Sequence, residues 1–249
     1  LNDVTLEPTP TDNTDNSDNS DNNPSPPPTN NDNIPGTPAP TGSLCQQLPG
    51  KPGYWFKKDD LYYPCATTTR YYDGRKGACG CGVNDDLFPW QYQIYTAAAN
   101  KAIFDSSTWC GAGCGICFEL TPTGWSPDGT GTTNIQTITV MVTNLCPENP
   151  DWRWCSSPNT YGYEAHFDLM DYPFGSGLIS GGLGWDNPEV YYKQVECPST
   201  YLSNWNTCEC KDQKPSSYDG PGTPLNDVTL EPTPTDNTDN SDNSDNNPS

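Results

Sequence analysis

The chain has 249 residues, with 32 acidic against 11 basic side chains and a net charge of −21; this balance argues against nucleic acid or an anionic membrane surface as partner. Only 32% of residues are hydrophobic and 27 are proline, so part of the length cannot fold into a core. All 12 cysteines lie between Cys45 and Cys210; their even number and density predict a fully disulfide-paired domain from an oxidising compartment, hence a secreted, extracellular protein.

Residues 1–25 and 225–249 are identical, reading LNDVTLEPTPTDNTDNSDNSDNNPS. Such segments, rich in Asp, Asn, Ser, Thr and Pro, bury too little to offset the entropy of ordering. Residues 1–42 and 211–249 are therefore predicted to be acidic linkers, and the copied segment fits a monomeric domain set in a tandem or multi-module chain. The aspartate runs lack the glycine and terminal glutamate of an EF-hand loop, so they read as linker rather than calcium site. No stretch is long and apolar enough to span a membrane, and the start at Leu1 without a signal segment fits a mature fragment. Between Cys45 and Cys210 the balance is only 17 acids to nine bases, which suits a neutral ligand.

Residues 43–210 read as mainly β. The first strand signal is TTTRYYDG at 67–74, where Thr69, Tyr71 and Asp73 share one face. A helix is expected around Trp90–Asp105, where YTAAANKAIF is rich in alanine. Next come alternating runs at Ile116-Phe118-Leu120, Ile138-Val140-Val142 and Tyr163-Ala165-Phe167-Leu169. Many short strands separated by glycine and proline predict a β-barrel with one short helix, not a parallel α/β sheet.

Two places offer acid–base chemistry. Asp73 follows the flat ring of Tyr71 by two residues, so an acid could sit beside a stacked sugar. In YGYEAHFDLMD, alternation buries Tyr163, Ala165, Phe167 and Leu169 and leaves Glu164, His166 and Asp168 on the opposite face. A protonated carboxyl and an ionised one are what glycoside hydrolysis requires. The spacing of Cys110, Cys114 and Cys117 could also ligate an iron–sulfur cluster, but the glycine-rich context favours turns pinned by disulfides. Of the tryptophans near loops (Trp90, Trp109, Trp125, Trp152, Trp154, Trp185, Trp205), some are expected to line a groove.

Taken together, TTTRYYDG, GACGCG at 77–82, FPWQ at 88–91, YTAA, WCGAGCG, VMVTNLCP at 140–147 and YGYEAHFD resemble the fungal branch of glycoside hydrolase family 45, over roughly residues 67–210. The resemblance implies a six-stranded double-psi β-barrel with long disulfide-pinned loops and an open groove. It implies endo-acting hydrolysis of β-1,4-glucan with inversion, needing no metal or other cofactor. By motif, Asp73 matches the general base and Asp168 the general acid. Tyr71, Trp90, Asn144 and His166 form the expected substrate-binding set. Some members carry a further aspartate seven residues before the acid; here that position is Tyr161, leaving Asn144 or Glu164 to take over part of its role. Expansins share the barrel, the GACG segment and the HFD acid but lack the matching base, so non-hydrolytic wall loosening is the alternative. A carbohydrate-binding module repeated for avidity is a further one.

Overall fold

A computed structural model describes residues 42–149, 153–213 and 218–226. Residues 1–41, 150–152, 214–217 and 227–249, which include Trp152 and most of the expected linkers at 1–42 and 211–249, lie outside the described residues. Eleven strands form: β1 (Gln46–Gln47), β2 (Tyr54–Lys58), β3 (Leu61–Tyr71), β4 (Gly82–Val83), β5 (Asp86–Leu87), β6 (Thr96–Ala99), β7 (Cys117–Pro122), β8 (Ile138–Leu145), β9 (Ala165–Met170), β10 (Val190–Val195) and β11 (Leu225–Asn226). Neighbours run β3-β10-β7-β8-β6-β9, and β9 pairs back onto β3, closing a six-stranded barrel. Pairs β3–β9 and β6–β8 are parallel; the other four are antiparallel. This is the expected double-psi barrel, and closure removes the free edges that an open sheet would expose.

The barrel interior is filled by the alternate residues read from the sequence: Phe118 and Leu120 of β7, Val140 and Val142 of β8, Phe167 and Leu169 of β9, with Val190 and Tyr192 of β10. Phe118, Phe167 and Tyr192 meet at tilted or edge-on angles with centroids 5.4–5.9 Å apart, the geometry that aromatic quadrupoles favour. Outside the barrel, β2 pairs along the first half of β3 and β1 adds to β2, so residues 45–58 extend the sheet. Glu189, fully buried, accepts hydrogen bonds from Ser43, Thr123 and Tyr163, tying the entry of the chain to the barrel.

Two expectations need correction. The alanine-rich segment is not one helix over Trp90–Asp105. It divides into a 3-10 turn at Pro89–Tyr92, strand β6, and a single helical turn α1 (Lys101–Phe104). Strand β6 lies between β8 and β9 with all four residues buried; there small side chains are required on both faces, and packing overrides alanine's helix preference. The C-terminal boundary also moves. Tyr218 packs edge-on against Phe118 and donates to the Ile103 carbonyl, and β11 pairs with β3, so residues 218–226 belong to the folded body and not to a linker.

Six disulfides use all 12 cysteines: Cys45–Cys65, Cys79–Cys114, Cys81–Cys208, Cys110–Cys210, Cys117–Cys197 and Cys146–Cys155. Cys110, Cys114 and Cys117 each have a different partner, so they hold loops together and leave no thiolate for a cluster. Helix α2 (Ser199–Trp205) precedes the two C-terminal staples and buries Tyr201 and Trp205.

Candidate active site

The second half of β3 pairs with β9 and carries Thr69 and Tyr71, with Asp73 two residues past the strand's end. Parallel pairing puts Asp168 of β9 directly opposite Thr69. These residues line a cleft of about 590 Å³ whose other walls include Asn144, Pro147, Trp154 and the Cys146–Cys155 disulfide. The two acids, 95 positions apart in sequence, thus face one cavity.

Their surroundings differ. Asp168 is half-buried, and its Oδ1 accepts a 2.7 Å hydrogen bond from the Thr69 hydroxyl. Burial, helped by the negative charge of Asp73 and opposed by Thr69, pushes its carboxyl up to about 6. Such a group can hold a proton in mildly acidic water, as a general acid must. Asp73 is exposed at the rim. Gly74 turns the chain at φ +67°, and the Arg75 amide donates to Asp73 Oδ1 at 3.0 Å. One carboxyl is shielded from water and one is solvated, which is how a single fold separates acid from base.

Tyr71 lies between them: burial first, then the charges of Asp168 and Asp73, raise its hydroxyl well above the usual tyrosine value. It therefore stays neutral and offers a ring and a hydroxyl to the cleft. Asn144 is fixed through Oδ1, which accepts from the amides of Ala78 and Leu145, each at 2.8 Å. Gly77 makes that contact possible. A Cβ there would stand 2.6 Å from both Asn144 Cβ and the Thr143 carbonyl, so the glycine of the GACG motif serves close packing of the loop on β8.

Two of the expected substrate-binding residues lie elsewhere. His166 is fully buried. Its ring nitrogens lie 2.8 Å from Thr67 Oγ1 and 2.9 Å from Thr69 Oγ1, and burial pushes the imidazole down to about 3. It reaches no sugar, because Trp154 stacks over it at 5.7 Å. Trp90 packs beside Phe88 against the core, donates to Thr207 Oγ1, and is not among the residues lining the cleft. Trp154 lines the cleft instead; no sequence signal singles it out among the loop tryptophans, because the Cys146–Cys155 bridge that closes its loop is visible only in the structure. Tyr161, at the position of the missing acid, meets Trp154 at a tilt with centroids 4.8 Å apart and donates to Asp128, itself paired with Arg153 at 2.7 Å. Glu164 accepts from Ser157 and does not line the cleft, so of the two suggested replacements only Asn144 faces it.

Tyr72, in the cleft wall, stands beside a further exposed ring. Tyr72, Phe174 and Tyr172 are 50%, 54% and 45% exposed. Tyr72 meets Phe174 at 4.3 Å, and Tyr172 stacks on Tyr92 at 4.5 Å. Flat apolar faces beside hydroxyls suit a sugar chain.

Residues 66–206 match the family described as EXPB1-like domain 1. The chain is 48% identical to Endoglucanase-5 of Hypocrea jecorina over 161 residues, covering 60% of this chain and 63% of that protein. It is 39% identical to an endoglucanase of the mussel Mytilus edulis, covering 92% of that protein and 60% of this chain. The GH45 endoglucanase EG27II, solved as a single-residue variant with cellobiose, superposes with a TM-score of 0.59 at 40% identity over 98% of its chain and 68% of this one. The chain belongs to glycoside hydrolase family 45. Expansins are more distant: Expansin-A21 of Arabidopsis thaliana is 39% identical over only 94 residues, or 29% of its length. The present GH45 chain spans under two thirds of the Hypocrea relative and about half or less of the expansins it matches.

Proposed function

We propose that the chain is an endo-β-1,4-glucanase that hydrolyses cellulose or a related β-glucan with inversion, acting outside the cell as a monomeric module. The observation that carries this reading is the pairing, in one open cleft, of a shielded carboxyl raised to about 6 with a solvated carboxylate. Family membership, and the cellobiose bound by the GH45 relative, support the substrate class. Six disulfides fit an oxidising, extracellular setting.

In this mechanism a glucan lies along the cleft with one glycosidic bond between the acids. Asp168 gives its proton to the glycosidic oxygen as the bond from the anomeric carbon breaks. A water on the opposite face attacks that carbon and passes a proton to Asp73. The sugar product gains the water oxygen, the leaving chain gains the Asp168 proton, and solvent exchange resets both carboxyls. Room for that water requires carboxyl groups about 6.5–9.5 Å apart. Tyr71 and Trp154 offer rings to the sugars, while Asn144 borders the path of the water.

The first-formed anomer on a soluble β-1,4-glucan, followed by NMR, tests the reading: inversion of a β-linkage yields the α-anomer first. Initial β-product would exclude inversion. Asp73→Asn and Asp168→Asn should each lower kcat by about 10²–10⁴-fold with the fold intact. The EXPB1-like match over 66–206 favours a second reading, wall loosening without hydrolysis. Under that reading no reducing ends appear, and Asp73 has no part in activity.

A further inference from the structure

A second groove, of about 560 Å³, lies beside the catalytic cleft, and neither acid lines it. Tyr172 is one of its walls; the ring stacks on Tyr92 with centroids 4.5 Å apart and stays 45% exposed. Gly177, Gly181 and Gly182 contribute bare backbone, and Ser176 adds a hydroxyl. The groove and the cleft adjoin at the end of β3. The Asp171 amide donates to the Tyr71 carbonyl at 2.8 Å, so Tyr172 is set against the strand end that carries Tyr72 and Asp73. A Cβ at Gly74 would stand 3.9 Å from the Tyr92 hydroxyl oxygen, and Asp73, the residue before it, lines the cleft. A polymer leaving the cleft past Asp73 therefore meets Tyr92 and Tyr172 next. Among the described residues, no charged side chain lines the second groove. Two tyrosine rings, their hydroxyls and open backbone suit a neutral ligand with flat apolar faces and many hydroxyls.

The glycines separate what the fold requires from what the groove requires. Asp171 Oδ1 accepts from the amides of Ile179 and Ser180, each at 3.1 Å, and a Cβ at Gly177 would stand 2.3 Å from that oxygen. A Cβ at Gly181 would stand 2.7 Å from the Ser176 carbonyl oxygen. Both must be glycine for the helical turn Leu178–Leu183 to pack. Gly182 need not be. Its backbone is not left-handed, it is exposed, and a Cβ there would meet nothing nearer than the Gly177 carbonyl oxygen at 3.9 Å, an ordinary contact. Glycine is also a poor helix former. Neither backbone nor packing asks for it, and what its missing side chain leaves is open groove. We infer that this groove is a non-catalytic binding site for β-glucan, holding sugars of the same polymer chain that passes the two acids, with Gly182 keeping it clear and Tyr172 supplying a stacking face. This deepens the hydrolase reading and rests on it for the identity of the polymer. It makes the enzyme favour long chains, because a short oligosaccharide spanning the acids does not reach Tyr172.

Steady-state kinetics of the full chain on cellotetraose and on soluble β-1,4-glucan test this. Gly182→Leu fills the groove without touching either acid, and its thermal midpoint should match or exceed that of the wild type. It is expected to raise KM on the polymer by about two- to tenfold, the worth of one aromatic contact, with kcat within about twofold. The ratio of kcat/KM on polymer to that on cellotetraose should fall by the same factor. Tyr172→Ala should lower that ratio likewise, and the double variant should lie within about twofold of the worse single one, because both changes act on one site. Gly182→Ala adds only a Cβ and should keep the wild-type ratio. A wild-type ratio in both Gly182→Leu and Tyr172→Ala overturns the inference, whether the losses are absent or equal on the two substrates. A separate glucan chain in the groove would leave the ratio in place and weaken only adsorption to insoluble cellulose, which also overturns it. If the wild-type chain releases no reducing sugar, the hydrolase reading fails. Retardation in a gel containing the soluble glucan then decides the groove by itself: Gly182→Leu should migrate faster than the wild type, and equal migration refutes the site.

Discussion

Asp168 pays for its usefulness. Its carboxyl is raised from 3.8 to about 6 in the folded protein, so folding binds a proton more tightly than the unfolded chain does. Below about pH 4 both states are protonated and there is no cost. As pH rises from about 4 to 6 the unfolded state ionises first and stability falls; above about 6 the full cost remains, about 3 kcal/mol for roughly two pKa units. Asp168→Asn keeps a hydrogen-bonding oxygen without the charge. It should raise the thermal midpoint at about pH 8 and have no such effect near pH 3.5; unfolding scans at the two pH values measure this. Turnover itself should decline above about pH 6, where Asp168 loses its proton. The two acids were legible in the sequence because their motifs are local strings. The place of His166 was not: alternation assigned it to a polar outer face, and only the tertiary structure lays Trp154 over that face and buries it. Nor does the sequence distinguish a tryptophan that lines a cleft, as Trp154 does, from one packed on the core, as Trp90 is.

The elements that carry the site are β3 and β9, paired in parallel, with Thr69 and Asp168 in register. A one-residue slip in that pairing would send Asp168 to the opposite face, so the buried alternation of Phe167 and Leu169 fixes the chemistry as well as the core. Strand β6 shows where local reading fails. Three consecutive alanines favour a helix in isolation, yet between β8 and β9 they form a strand with a register shift at Ala97/Ala98. Ala98 then forms part of the cleft wall, and its small side chain leaves room beside Asp168. After β9 the chain carries Tyr172 and Phe174 onto the rim. Phe174→Ala removes an exposed ring that touches Tyr72 and no acid. It should raise KM on polymeric β-glucan by about two- to tenfold, the worth of one aromatic contact, and leave kcat within about twofold. Steady-state kinetics on polymer checks this, and a fall in kcat alone would show that the ring serves something other than binding.

At the scale of the whole molecule, the barrel class was readable because the count of short strands, and the spacing of glycine and proline between them, reflect a closed sheet. The cysteine pairing was not, since spacing along a chain does not determine proximity in space. The pairing seen here stitches the C-terminal cysteines to the loops around β4 and α1, over separations of 127 and 100 residues. Bridges Cys79–Cys114, Cys81–Cys208 and Cys110–Cys210 overlap, so backbone scission anywhere from 79 to 210 leaves the fragments covalently joined; Cys45–Cys65 does the same for its own interval. Between Cys45 and Cys210, only residues 66–78 are spanned by no bridge. That stretch contains Thr69, Tyr71 and Asp73. A protease that nicks at the exposed Asp73 turn should therefore yield two bands on a gel run without reductant, whereas nicks elsewhere between Cys45 and Cys210 appear only after reduction. The segment bearing Asp73 is thus held to the barrel by strand pairing and packing alone, with no bridge spanning it to fall back on.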